Sequence, residues 1–324
     1  MTDPLTWLSA GRVLGSHPSM EFTLPSRGAR PSIVEAGFLY GRYRIERCLG
    51  VGGMGAVYHA TDSVLTRAVA LKTVLSSGAD VTSGVRFLRE AEVLARLRHP
   101  HIVTLYDVGI QDQTPFIILE YLQGQHLRAL LDAKKRLDSR SALTIMLPVM
   151  AAIAYAHQQG VLHLDLKPSN VFVASDHNGA MLTKVLDFGV CMLHLVDSEF
   201  DPTRGEFAGT PAYTSPEGLR GAELTQASDQ FSLAVVLYEA LSGINPFSHC
   251  KTLSEIDQAM RRRRYASLAT LSPHVPPQLC QVIERALAPD PSERFADVRS
   301  LGAAVAEAAP AELRSQWRSE FARR

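Results

Sequence analysis

Two short stretches carry the polar side chains with which this chain could do chemistry. His163–Asn170, HLDLKPSN, sets an aspartate, a lysine and an asparagine two and three positions apart. VLDFG follows at 185–189 and places a further aspartate before Phe-Gly, where a chain can turn tightly. Phosphoryl transfer needs a carboxylate that orients the attacking hydroxyl, cations near the phosphates and hard oxygen ligands for Mg²⁺. Asp165 and Lys167 would be the carboxylate and the cation. Asn170 and Asp187 would be the oxygen ligands, so we predict a site for a nucleotide and its metal.

A glycine-rich stretch upstream offers a second contact for phosphates. Gly50, Gly52 and Gly55 form Gly-x-Gly-x-x-Gly within CLGVGGMGAVYHA. Alone the string is a weak signal, because dinucleotide-binding folds use it where a strand meets a helix. Here strand-like alternation lies on both sides of the glycines, which favours a hairpin that covers the phosphates. A hairpin with a merely flexible tip is the alternative that the glycines alone allow.

In this order and at this distance, the motifs resemble those of the eukaryotic-type (Hanks-type) serine/threonine protein kinases. GGMGAVYHATD and HPHIV are similar to the bacterial branch of that family. The resemblance covers residues 43–308 and implies an α+β, two-lobed protein kinase fold. A small antiparallel-β lobe with one key helix would span about 43–120 and a larger, mainly helical lobe about 121–308. The implied cofactors are ATP and Mg²⁺, and the implied acceptors are Ser/Thr hydroxyls of protein substrates, with autophosphorylation.

The resemblance also assigns the catalytic residues and the grip on the phosphates. Asp165 and Lys167 are implied to be catalytic, together with Thr210 of GTPAY, which helps to position them. Lys72 matches the strand lysine that holds the α- and β-phosphates. Its implied partner is Glu90 in LREAEVL, on the same helix side as apolar neighbours, whereas the competing Glu92 is expected to be solvated.

The remaining implied contacts surround the nucleotide. Leu119 would be the gatekeeper, and the backbone of Glu120 and Leu122 would bond the adenine edge. Asn170 and Asp187 would contact the nucleotide and bind the metal. The glycine-rich strands and the strand that carries Lys72 would supply Leu49, Gly50, Gly52, Gly53, Gly55, Val57 and Ala70.

Three longer-range expectations concern the large lobe. The apolar stretch SALTIMLPVMAAIAYAHQQG predicts a buried helix that begins near Asp138 or Ser139, ends at Gly160 and delivers the catalytic loop. SDQFSLAVVLYEALSG resembles the central helix of the lobe, with Asp229 bonding back to that loop. The alternative is that Ser228 or Asp229 caps the helix. Arg294 is implied to pair with Glu217.

Two further features of the large lobe concern regulation and possible partners. Leu164 stands where most regulated kinases have the arginine that pairs with an activation-segment phosphate, so we expect activity without that phosphorylation. In SEIDQAMRRRR, four arginines could dock an acidic partner, although a basic helix end that interacts with its own dipole is the favoured account.

Composition bounds the class of protein. The 324 residues are 46% hydrophobic and 20% charged with zero formal net charge, which gives no sign of a nucleic-acid partner. The cysteines are scattered, which favours free thiols. Neither a signal peptide nor ~18 uninterrupted apolar residues is found, so we expect a cytoplasmic protein without a membrane span. Its oligomeric state is left open.

Residues 1–42 read as a flexible extension, or alternatively a docking or regulatory arm, and residues 309–324 as a short tail, helical after Pro310.

Two other functions compete with a protein kinase. A nucleotide-binding pseudokinase scaffold would share the fold, but Lys72, Glu90, Asp165, Lys167, Asn170 and Asp187 are all present. A kinase of small molecules is the second alternative. GTPAYTSPE argues against it, because this segment resembles a platform that positions peptides.

Overall fold

The computed structural model describes residues 35–52, 55–73, 91–111, 114–175, 181–188 and 211–322. They form the two predicted lobes, which confirms the α+β prediction. The first lobe is built on a six-stranded antiparallel sheet, in the order β1, β2, β3, β4, β6, β5. The strands are β1 (Leu39–Tyr40), β2 (Tyr43–Gly52), β3 (Gly55–Asp62), β4 (Arg67–Thr73), β5 (Leu105–Gln111) and β6 (Thr114–Glu120).

The sheet forms because alternate residues of its strands are apolar and face one core. In β3, Ala56, Tyr58 and Ala60 are fully buried, and they pack in one cluster with residues of β2 and β6 such as Ile45 and Phe116. The glycine-rich residues lie at the tip of the β2–β3 hairpin, where Gly52 pairs with Gly55. The predicted hairpin is therefore confirmed.

The described part of the small lobe includes a short strand, β1, within the stretch 1–42 that we predicted to be an N-terminal extension. Strand β1 pairs with the start of β2, and the buried Tyr40 ring packs edge-on against Phe116 at 5.2 Å. The Gln111 side chain donates a hydrogen bond to the Leu39 carbonyl (2.6 Å), so β1 is tied to β5 as well. Phe116 and Gln111 are distant from β1 in sequence, and a strand of two residues is too short to show a periodic pattern.

The second lobe is mainly helical. A small antiparallel sheet of β7 (Gly124–His126), β8 (Val171–Ser175) and β9 (Met181–Val185) lies beside the catalytic loop. The helices are α1 (Leu127–Lys134), α2 (Ser139–Gln158), α3 (Pro216–Leu219), α4 (Gln226–Ser242), α5 (Leu253–Arg261), α6 (Leu268–Leu271), α7 (Pro277–Ala286), α8 (Val298–Glu307) and α9 (Ala311–Ala322).

Helix α2 is the predicted core helix. Its N-cap is Asp138, whose carboxylate accepts a hydrogen bond from the Ser141 amide (2.9 Å), and Gly160 follows its end with φ +73°. By length and composition alone α2 could cross a membrane, but 72% of its apolar window is buried inside the protein. It packs against α4 and α8 and leads directly into the catalytic loop.

Helix α4 begins earlier than predicted. Its N-cap is Thr225, and Ser228 Oγ accepts a hydrogen bond from the Thr225 amide (3.3 Å) in a capping box. Asp229 therefore lies inside the helix and its side chain is left for other contacts. Helix α5 likewise ends at Arg261, so only the first of the four arginines lies in its last turn.

The predicted C-terminal helix is confirmed as α9, but it is no free tail. Leu313, Trp317 and Phe321 are buried along one side and join the core of the large lobe. This packing was not predicted, because the stretch is mostly charged and contains few apolar residues.

Candidate active site

The catalytic loop holds Asp165 by contacts from within its own stretch. Lys167 Nζ donates to Asp165 Oδ2 at 2.7 Å, and Asn170 Nδ2 donates to the same oxygen at 3.0 Å. Asn170 lies in a 3₁₀ turn at Pro168–Asn170, which brings it back toward Asp165. Asp165 Oδ1 is buried and has no hydrogen-bond partner among the described residues. One carboxylate oxygen is thus fixed and the other is left for a donor from elsewhere.

The loop is anchored from below by Asp229 of α4, as predicted. Its two carboxylate oxygens accept the amides of His163 and Leu164, each at 2.8 Å, and His157 Nε2 contacts Oδ2 at 2.7 Å. Burial by itself raises the pKa of Asp229, but the hydrogen bond and charge of His157 outweigh burial and hold that pKa below its usual value. Leu164 has φ +61°, which is strained for a non-glycine residue, and the two anchored amides maintain it.

Asp187 lies beside this loop because β9 ends next to it. The Leu186 amide donates to the Asn170 carbonyl at 2.9 Å, which joins the two predicted metal ligands. Lys72 Nζ reaches from β4 to Asp187 Oδ1 at 2.8 Å, so the small lobe contacts the same point. Desolvation alone raises the pKa of Asp187, but the Lys72 ammonium outweighs it and lowers the pKa below its usual value. Asp187 stays an anion there.

The aspartate is held in an unusual backbone conformation. Its φ is +54°, and the next side chain, Phe188, is fully buried against the His163 ring at 4.7 Å between centroids. His163 Nε2 also contacts the Leu186 carbonyl at 2.9 Å. Phe188 and His163 therefore fix the direction in which Asp187 points, a role that was not predicted from the sequence.

The predicted nucleotide-lining residues come together on three strands. Gly50 pairs with Val57, Val57 with Lys72, and Ala70 with Leu119 in the sheet register. Leu49 lies in β2 and is 40% exposed. Strands β2, β3 and β4 thereby form a continuous surface from the glycine-rich hairpin to the lysine. Gly53 lies outside the described residues.

The segment that joins the lobes carries an ion pair that sequence reasoning missed. Glu120 ends β6, and its carboxylate accepts a hydrogen bond from Lys184 Nζ of β9 (2.6 Å) and another from the Thr104 amide (2.8 Å). The Glu120 amide donates to the Thr104 carbonyl (2.9 Å), so its carbonyl is the backbone group left to consider for the adenine edge. Leu122 follows in the linker. The only sign of this pair in the sequence is Lys184, a lysine within an apolar strand, and the sequence does not indicate which residue it contacts.

Two other predicted members of the site, Glu90 and Thr210, lie outside the described residues. The predicted helix around Glu90 is confirmed for residues 91–96, where Ala91 and Leu94 are buried. Glu92 is exposed and pairs with Arg96 one turn on at 2.7 Å, so the expectation that Glu92 is solvated is confirmed.

The implied pair of Arg294 and Glu217 is confirmed. The guanidinium donates two parallel hydrogen bonds to the carboxylate, each of 2.8 Å, and Ser228 Oγ donates a third (2.9 Å). The arginine side chain is fully buried. Glu217 lies in α3, and both Ser228 and the Ala227 carbonyl, which Arg294 also contacts, lie at the start of α4. The pair therefore holds these two helices together.

The arginines at the end of α5 are divided among different contacts. Arg261 pairs with Asp257 one turn earlier (2.6 Å), and Arg263 pairs with Glu293 (2.5 Å). Two of the four charges are therefore used within the lobe. This favours the structural interpretation of the basic run over a docking patch.

The oxygen donors of the site suit magnesium better than a transition metal. Asp187 supplies an anionic oxygen, and because the Asn170 amide nitrogen is bound to Asp165, its amide oxygen remains for a cation. The described residues contain no group of three or more His, Cys, Asp and Glu that could hold a metal. Mg²⁺ commonly takes one or two protein oxygens and completes its shell with phosphates and water, so these donors fit it.

Comparison with known proteins gives one consistent result. The family description "Protein kinase domain" matches residues 43–305. PrkC of Bacillus subtilis is 35% identical over 86% of this chain and 42% of its own length, and pkn3 of Myxococcus xanthus is 36% identical over 81% and 49%. Both are serine/threonine-protein kinases by name, and the chain spans about half of their length or less. The crystal structure of the Mycobacterium tuberculosis PknI kinase domain superposes with a TM-score of 0.68 at 29% identity, covering 86% of this chain and all of that one.

Proposed function

The chain belongs to the protein kinase family, and from that premise we propose that it transfers the γ-phosphoryl group of ATP to serine and threonine hydroxyls of proteins. The observation that carries the proposal is a set of hydrogen bonds: Lys167 and Asn170 bind Asp165, and Lys72 binds Asp187. The Leu186 amide, which donates to the Asn170 carbonyl, links the two groups. Each type of group that phosphoryl transfer needs is present in that cluster.

Asp165 orients the acceptor. Its Oδ2 is fixed by Lys167 and Asn170, while the buried Oδ1 faces no described partner. A serine or threonine hydroxyl fits that position as the missing donor. As the hydroxyl oxygen bonds to the γ-phosphorus, the bond from phosphorus to the β-γ bridging oxygen breaks, ADP leaves and the hydroxyl proton passes to Asp165. Lys167 stabilises the charge on the moving phosphoryl group.

The nucleotide is held from the other lobe. Lys72 binds the α- and β-phosphates and Glu90 orients Lys72, while the glycine-rich hairpin lies over the triphosphate. Val57 and Ala70 contact the adenine, which bonds to the Glu120 carbonyl and the Leu122 backbone. Asn170 and Asp187 would hold Mg²⁺, which would neutralise phosphate charge. Thr210 helps to position Asp165 and Lys167.

A nucleotide-binding scaffold without transfer is the alternative. The intact set of polar residues and the names of the relatives favour an active enzyme. Action on proteins rather than small molecules rests on the segment GTPAYTSPE. A cytoplasmic location remains a prediction.

The test is phosphoryl transfer from labelled ATP by the purified chain, with Mg²⁺ and a generic basic protein, beside Asp187→Ala. We expect label on serine or threonine in the wild type, and almost none in the variant, because the metal loses its anionic ligand. Binding of ATP without any transfer by the wild type would favour the scaffold. Normal transfer by Asp187→Ala would contradict the assignment of the site.

A further inference from the structure

Helix α9 is locked onto the large lobe by a close crossing over α8. A Cβ added at Gly302 of α8 would lie 2.3 Å from the Phe321 ring, so only glycine lets the ring approach this closely. Charged contacts surround the crossing: Arg318 pairs with Glu307 (3.2 Å), and Arg140 of α2 pairs with Glu312. The helix is therefore held at a defined position.

At that position, the buried Trp317 also contacts a residue of the small lobe. Its ring lies 6.0 Å, between centroids, from the ring of His101, which belongs to the segment that leads into β5 of the small lobe. On the same segment, His99 stacks on Tyr155 of α2 at 5.3 Å, and the Tyr155 hydroxyl accepts a hydrogen bond from the Arg98 amide (3.2 Å). The segment is thus held between α2 and α9.

This segment also holds the strand that ends at the active site. His101 Nδ1 contacts the Thr183 carbonyl (2.9 Å), and the His101 carbonyl accepts the Val185 amide (2.8 Å). The Val103 amide then donates to the Val185 carbonyl (3.0 Å). Val185 is two residues before Asp187, so a short run of backbone hydrogen bonds joins His101 to the position of the metal-binding carboxylate.

We propose that Trp317 is a positioning residue for the nucleotide site: through His101 and Val185, it fixes where Asp187 meets Lys72 and the metal. The inference deepens the proposed function and rests on it. Asp187 must keep a left-handed backbone and a 2.8 Å contact with Lys72, and small displacements of such a group cost reactivity. An element outside the cleft therefore contributes to its geometry.

The chain offers a matched control on the same helix. Leu313 and Trp317 are each 8% exposed, but Leu313 has no ring and cannot make the ring contact with His101. Leu313→Ala should loosen α9 without removing the contact to the small lobe. Trp317→Ala removes that contact, and Trp317→Phe keeps an aromatic ring there.

The experiment measures kcat, KM for ATP and the Mg²⁺ concentration for half-maximal activity in the three variants, with melting temperatures. We expect Trp317→Ala to raise the KM for ATP and the Mg²⁺ requirement by roughly 3- to 30-fold, a usual range for couplings between distant sites. Leu313→Ala should lower the melting temperature but leave both constants near wild type. Trp317→Phe should restore them.

Equal constants in Trp317→Ala and wild type, or equal changes in Trp317→Ala and Leu313→Ala, would overturn the proposal. Should Trp317→Ala fail to fold, the milder Trp317→Leu and His101→Ala test the same contact from its two sides. Calorimetric titration with MgATP separates this proposal from the proposed function. If Trp317→Ala binds MgATP more weakly than Leu313→Ala and Trp317→Phe do, the positioning role of Trp317 is supported even in a protein that transfers no phosphate. Unchanged binding in Trp317→Ala would overturn that role.

Discussion

At the scale of the residue, Asp165 shows how neighbours prepare a carboxylate. Lys167 and Asn170 bind the same oxygen, which leaves Oδ1 buried and without a partner among the described residues. A buried acceptor without a donor is costly in a folded protein. A substrate hydroxyl would satisfy it, so the arrangement is explained by what it binds.

Asp165→Asn keeps the shape of the side chain but removes the proton acceptor. We expect kcat to fall by about 10²- to 10⁴-fold, the usual contribution of a positioned acid–base group. Steady-state transfer to a protein substrate measures the loss. Asp132→Asn, an exposed carboxylate paired with Arg128, is the control and should leave kcat unchanged. A kcat within threefold or so of wild type in Asp165→Asn would rule out its catalytic role.

At the scale of the element, the buried pair of Glu217 and Arg294 holds α3 against the start of α4. Burial by itself raises the pKa of Glu217, but the hydrogen bonds and charge of Arg294 outweigh it and lower the pKa below its usual value. Glu217 is therefore a structural anion, and the contact between α3 and α4 depends on its charge.

Glu217→Gln should make the protein about 3–5 kcal/mol less stable at pH 7, because Arg294 is left buried without its counter-charge. The folded pKa lies below the unfolded one, so the anion stabilises the wild type above the unfolded pKa. That stability is lost as pH falls through the folded pKa.

Urea unfolding at pH 7 and at pH values below about 4.3 should thus show the difference between wild type and Glu217→Gln shrinking in acid. Glu307→Gln breaks the exposed pair with Arg318 and is the control, with an expected effect of about 1 kcal/mol or less. A difference that stays constant with pH would argue against the charge as the cause.

At the scale of the whole molecule, the site depends on contacts between the two lobes. Lys72 of β4 meets Asp187 beyond β9, and Lys184 of β9 meets Glu120 at the end of β6. One ion pair joins the small lobe to Asp187 itself, and the other joins it to β9, the strand before the aspartate. Leu164, by contrast, belongs to the large lobe alone. Its amide is bound to Asp229, and Leu164 lines a small cavity with Thr214, Ser215 and Leu224.

Leucine at 164 cannot form charge-assisted hydrogen bonds with a phosphate. Thr203 and Thr214 are threonines of the stretch 187–217, which resembles a kinase activation segment. We therefore expect protein treated with phosphatase to keep most of its activity, even if either threonine is phosphorylated during expression. Initial rates before and after treatment, with mass spectrometry to verify the loss of phosphate, measure this. Loss of activity that a phosphomimetic residue at either threonine restores would overturn the expectation.

Much of the site could be predicted from local sequence, because its chemistry depends on short spacings. The loop that holds Asp165, Lys167 and Asn170, the glycine-rich hairpin and helix α2 all follow from neighbours a few residues apart. Capping at Thr225 rather than Ser228 was missed, since both residues can cap and only the surrounding contacts distinguish them.

The sequence by itself determined which groups suited to phosphoryl transfer this protein carries, because residue type and short-range order select the motifs. Only the tertiary structure decided which distant groups meet. It paired Lys184 with Glu120, tied β1 to β5, and placed α9 across Gly302 so that Trp317 contacts His101. Those contacts join residues far apart in the chain, and their energies come from burial and shape that no local pattern records.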